Sequence, residues 1–172
     1  MGETTRRFPM SLDAGSRLIT LTVVAICVVV LAVQVALCRP PMKWIPLLTA
    51  TLPVPIMSSC WALAPTALVI DGDALRIERR AWWAIRIPLR EIAALESTAG
   101  MRAFNTLRLF GVGGFFGTFG LMWSRPVGRF WAYATRTAPS LLLRLRGSLP
   151  VLVTPDDPDA VVAALRQAGV SA

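Results

Sequence analysis

Histidine is absent from the chain, which removes the commonest general base and the commonest metal ligand together. Lysine and tyrosine occur once each, as Lys43 and Tyr133, and cysteine three times, as Cys27, Cys38 and Cys60. Every cysteine lies in or beside an apolar run, so the rest of the chain has neither a disulfide framework nor a thiolate metal site. Acidic residues are sparse, and no pair of them sits in an apolar setting. Glu91 and Glu96 stand five apart beside Arg90, while Asp156 and Asp157 read as the start of a helix. The hydroxyls of Ser, Thr and Tyr133 have no base to activate them. The inventory points to a non-enzymatic chain with no catalytic residues, no metal site and no cofactor.

Apolar residues are what the chain has instead. They make up 55% of it, with 16% charged, against about 45–50% and about 25% in ordinary soluble domains. From Leu18 to Cys38 run 21 residues without a charge, long enough to cross about 30 Å of hydrocarbon at about 1.5 Å per residue. Arg6, Arg7 and Arg17 before this run resemble the basic start of a signal peptide. Such apolar regions are shorter, about 7–15 residues, and no small-x-small cleavage site follows, so the helix is expected to remain in the mature protein. Leu37, where a lipoprotein box wants a small residue, excludes lipidation at Cys38.

Arg39-Pro40-Pro41-Met42-Lys43 then breaks the helix, and a second uncharged run of 20 residues extends from Trp44 to Leu63. Pro53 is expected to kink it near the freed carbonyl of Thr49. Trp44 and Trp61, about 25 Å apart on a helix, suit the two membrane interfaces. The sequence thus predicts a leader, 1–17, and a transmembrane hairpin, 18–63, with spans of about 18–38 and 44–63. Basic residues in the leader and at Arg76, Arg79 and Arg80 outnumber Arg39 and Lys43 in the turn. The positive-inside rule therefore favours the cytoplasm for both termini. The net charge of +8 points on such a chain to anionic lipid headgroups rather than nucleic acid.

From Thr66 the period changes. Leu75-Arg76-Ile77-Glu78, Ile85 to Leu89 and Leu141 to Arg146 alternate apolar with polar residues, as half-buried antiparallel strands do. Asp71-Gly72-Asp73 and Gly147-Ser148 mark hairpin turns. A closing helix is capped by Asp157, started by Pro158 and stopped by Gly169, with Val161, Val162, Leu165 and Ala168 on one stripe.

Two clusters compete for function. The run Gly111 to Gly120 lacks the Lys-Ser/Thr pair and following helix of a phosphate loop, and reads as a bend where strands approach closely. Phe115 and Phe116 within it could instead present aromatic surface to lipid. Arg79-Arg80-Ala81-Trp82-Trp83 sets cations beside indoles, as at a headgroup layer or at a hairpin tip folded over the core. The candidate membrane-interface residues are Arg79, Arg80, Trp82, Trp83, Phe115, Phe116, Trp44 and Trp61.

Taken in order, Leu68 to Ile77, Ile87-Pro88-Leu89 with Glu91-Ile92, Leu109-Phe110-Gly111 with the glycine run, Gly128 to Thr135, and Val153 to Pro158 resemble the bacterial PH-like domain family. The resemblance implies a bent antiparallel β-barrel of seven strands over 66–170, closed by the C-terminal helix, with no enzyme activity and no site residues to carry over. A lysine-rich headgroup pocket is missing, which argues against a tight inositol phosphate site. The expected whole is an α+β membrane protein, a two-helix transmembrane hairpin bearing a PH-like domain. Its expected role is a protein- or lipid-surface interaction module on the cytoplasmic face. The alternative is an accessory subunit of a membrane transporter or envelope enzyme complex.

Overall fold

The computed structural model describes residues 5–37, 53–98, 100 and 105–170, and the architecture is α+β. Arg6–Pro9 forms strand β1, antiparallel to β2 (Pro65–Asp71), in a register that sets Arg6 opposite Ile70 and Pro9 opposite Ala67. Part of the leader, 1–17, is therefore an edge strand of the first sheet. Arg7 pairs with Glu78 at 2.9 Å, Arg6 donates to Gln167 at 2.7 Å, and Met10 is buried in the core. Pro9, which has no N–H to give, is tolerated at an edge.

β2 turns through Gly72 (φ +57°) into β3 (Ala74–Arg79), which pairs with β4 (Ile85–Pro88) to complete a four-stranded antiparallel sheet, β1-β2-β3-β4. The second sheet contains β5 (Ile92–Thr98), β6 (Leu107–Val112), β7 (Thr118–Ser124), β8 (Gly128–Ala134), β9 (Ser140–Leu145) and β10 (Val151–Val153). Their order is β5-β9-β10-β8-β7-β6, antiparallel except where β10 lies parallel to β8. These strands make two open sheets, not the closed barrel expected. Pro88 has no N–H with which to extend the first sheet, and the 3-10 turn Leu89–Glu91 carries the chain into the second.

The two sheets share one core. Leu68, Ile70, Leu75 and Ile77 come from the first, and Leu141, Leu143, Val151 and Val153 from the second. Helix α3 (Pro158–Gln167) adds Val161 and Leu165, both fully buried. Its start is as the sequence predicts, with the Asp157 carboxylate accepting from the Ala160 N–H at 3.0 Å and Pro158 at the first helical position. Strand β9 departs from simple alternation: Leu142 points away from Leu141 and Leu143 but is buried too, with Met122, Phe130 and Leu152.

Helix α1 (Ala14–Leu37) begins four residues before the uncharged run at Leu18, with Asp13 at its start. The Asp13 carboxylate accepts from the Ser16 N–H at 2.7 Å and from the N–H and hydroxyl of Thr137 at 3.2 and 3.1 Å. One end of α1 is thus fastened to the second sheet. Among the described residues, Ala14–Ala36 is the one helix long and apolar enough to cross a membrane, so the expected hairpin is reduced to one candidate span. Of the second run, the part among the described residues is helix α2 (Pro53–Leu63). Trp44 and the site of the expected kink at Thr49 lie outside the described residues.

Candidate functional site

The segment joining α2 to β2 is only Ala64, and the chain just after β3 folds back on the end of α2. Arg80 N–H donates to the Ala64 carbonyl at 3.0 Å and Ala81 N–H to the Ala62 carbonyl at 3.1 Å. This brings Arg79 and Arg80 to the place where helix and domain meet. The Arg80 guanidinium lies over Trp61 at 5.5 Å and over Phe116 at 6.0 Å, distances at which a cation is drawn to a ring face. Arg79 lies over Tyr133 at 5.8 Å. Burial pushes the Tyr133 phenol above its ordinary pKa, and the neighbouring Arg79 charge and hydrogen bond only partly oppose this.

Charge pairing divides the basic residues of this sheet. Arg76 pairs with Asp71 at 2.6 Å and Arg86 with Asp73 at 2.9 Å, whereas Arg79 and Arg80 meet no carboxylate among the described residues. The Nε of Arg79 is buried without a hydrogen-bond partner. Trp82 and Trp83 stack edge-on at 5.0 Å and project outward, Trp83 being 80% exposed. Of the sequence candidates, the structure therefore gathers Arg80, Trp61 and Phe116 into one cluster and leaves Trp82 and Trp83 beside it.

The glycine run takes the bend expected of it. Gly111 and Gly120 face each other across β6 and β7, both at positive φ, and a Cβ on Gly120 would stand 2.2 Å from the Phe110 carbonyl oxygen. Phe115 and Phe116 turn inward against Cys60, Leu63 and Ala64 of the α2 end. The loop also touches α1: Phe116 N–H donates to the Thr20 hydroxyl at 3.0 Å. One loop thus wedges between both helices and the sheet.

Sequence reasoning missed the anchoring role of Asp13 and the partnership of Arg79 with Tyr133. Asp13, an acidic residue immediately before an apolar run, carried a cap signal. The Tyr133 contact joins strands far apart in sequence and left no local mark.

Beside this cluster a groove of about 480 Å³ opens between α2 and strands β6, β7 and β8, with apolar walls and with Ser59, Arg79 and Tyr133 as polar features. Next to it β6 forms a sheet edge carrying exposed Leu107, Leu109 and Phe110.

Comparison with known proteins gives one family. A family model described as Bacterial PH domain matches residues 66–169, about three-fifths of the chain, from β2 through α3. No curated protein and no solved structure matches. PH domains are in general interaction modules rather than catalysts, in keeping with a surface of unpaired cations and aromatics. The resemblance read from the sequence holds over the same elements, and this chain belongs to the bacterial PH domain family.

Proposed function

We propose that the protein is a membrane-anchored, non-enzymatic interaction module whose PH domain lies against the cytoplasmic leaflet of a bacterial inner membrane. There it binds the anionic lipid surface or a membrane protein. The observation that carries this reading is α1, whose apolar window has none of its length buried within the fold. Ten large apolar side chains stand exposed along it, from Leu18 to Val35. Burying one is worth about 1.5–3 kcal/mol, so transfer of the helix into hydrocarbon is favoured by on the order of 10 kcal/mol even after discounting partial exposure.

Strand pairing supports a return crossing. β1 precedes α1 and β2 follows α2, yet the two are hydrogen-bonded neighbours. Paired strands lie on one side of a membrane, so a chain that crosses once between them must cross back. The apolar run 44–63 is the segment available for that. Arginine-weighted flanks favour the cytoplasm for the shared side. Arg79, Arg80, Trp82 and Trp83 then stand at headgroup level, where each cation gains about 1 kcal/mol from an anionic surface.

The test is cysteine accessibility in intact cells, with Cys27, Cys38 and Cys60 replaced by serine. Ser171→Cys is expected to resist an impermeant thiol reagent while Met42→Cys reacts. Reaction at both positions, or at Ser171→Cys alone, would refute the topology. Release of the parent chain by alkaline carbonate would refute the anchoring itself.

A further inference from the structure

We propose that the groove between α2 and strands β6–β8 holds a single anionic phospholipid, one acyl chain along the apolar walls and its phosphate on Arg79. This rests on the membrane-anchored reading above and adds a defined ligand site to it. The groove has the size of a small-molecule site and its composition, apolar with a few placed polar groups. Ile56, Cys60 and Leu63 of α2 form one wall, and Phe119 and Trp131 of the sheet form the other. Arg79 is the groove's one cation among the described residues, and it has no carboxylate partner. Its Nε is buried with no acceptor. A guanidinium charge on an apolar groove with no carboxylate to pair it makes the site complementary to an anion. A phosphate pairs that charge, and the Tyr133 phenol, over which Arg79 lies, offers a second donor beside it.

Shape decides against a protein helix as the occupant. One helical turn rises about 5.4 Å and is about 10 Å across, so it displaces roughly 420 Å³. The groove would be filled by that one turn, which is too little for a specific helix contact. A flexible acyl chain can adapt to the groove's apolar walls. The wall that receives it belongs to an apolar helix ending at the first strand of the domain, so lipid has direct access from the leaflet.

The experiment uses the full chain in nanodiscs doped with phosphatidylglycerol carrying a diazirine on one acyl chain, with the phosphatidylcholine analogue in parallel. Crosslinks are mapped by mass spectrometry. Labelling is expected on groove residues such as Cys60, Leu63 and Phe119, and more strongly from the anionic lipid. Ser59→Trp, which fills the groove from an exposed helix position, should abolish those crosslinks while labelling of α1 persists. Arg79→Gln should bring the anionic and zwitterionic lipids to equal labelling, with unfolding temperatures of both variants near that of the parent. Crosslinks confined to α1 and the outer face of α2 would overturn the groove site and hand it to a protein segment, with anchoring intact. Absence of crosslinks throughout the chain would overturn the anchored reading as well.

Discussion

Replacing Asp13 with alanine tests whether α1 is fixed to the PH domain or merely adjoins it. Three donors converge on this carboxylate: the Ser16 N–H inside the first turn of α1, and the N–H and hydroxyl of Thr137 between β8 and β9. Losing a helix cap costs about 1 kcal/mol. The two Thr137 bonds are open to solvent, so each contributes at the lower end of the usual range, about 0.5–1 kcal/mol. Asp13→Ala should therefore destabilise the full chain by about 2–3 kcal/mol, read as a fall of about 5–10 °C in unfolding temperature. Asp13→Asn, which keeps an acceptor oxygen, should lose less. The Thr137→Ala variant supplies the second arm of a double-mutant cycle, with an expected coupling of about 1 kcal/mol. A pH series adds an independent check. Burial alone would raise the Asp13 pKa, but the Ser16 and Thr137 hydrogen bonds outweigh it and hold the carboxyl below its ordinary 3.8. A group lowered on folding stabilises fully above its unfolded pKa and loses that contribution as pH falls through the folded value. The parent should therefore lose more stability below pH 3.8 than Asp13→Asn does. Strict additivity of Asp13→Ala and Thr137→Ala, with no difference in pH response, would refute the fixed joint.

Leu165→Asp, which places an unpaired charge in a fully buried position, should destabilise by several kcal/mol in a denaturant titration, while Gln167→Asp on the exposed side of the same helix should change little. Gly120→Ala should cost about 1–3 kcal/mol, because its Cβ meets the Phe110 carbonyl at a strained φ; thermal melts equal to the parent would contradict the β6–β7 register. An environment-sensitive dye on Trp83→Cys should shift to the blue in nanodiscs with anionic lipid and shift back in the Arg79→Glu/Arg80→Glu variant. The same dye on Ser148→Cys serves as the reference. An unchanged spectrum at position 83 in the double variant would remove this tip from the headgroup layer.

Elements fixed by local chemistry were legible in the sequence. The Asp157-Pro158 start of α3, the Gly72 turn and the alternation of β3 need only near neighbours, and each stands where the pattern put it. The first apolar helix was legible from length and lack of charge alone. What failed depended on distant partners. Nothing in Arg6–Pro9 announces a strand, since its mate β2 lies beyond two apolar helices. The open sheets were hidden because closure depends on whether β4 and β5 pair across Pro88, a question alternation cannot answer. At the candidate site, the arginine-tryptophan cluster was visible as composition. Its division into Arg80 over Trp61, Arg79 over Tyr133 and exposed Trp82 and Trp83 arises from the fold-back onto α2.

The position of β1 also sets the timetable of synthesis. Arg6 and its mate Ile70 are 64 residues apart, and at about 5–20 residues per second a ribosome takes roughly 3–13 s to make that stretch. Until then the first strand has no mate. If the chain is threaded into the bilayer with an odd number of crossings, the mate emerges in the wrong compartment and β2 is left as a bare edge. Such an edge invites aggregation, so completion of the first sheet would report that insertion has been carried out correctly.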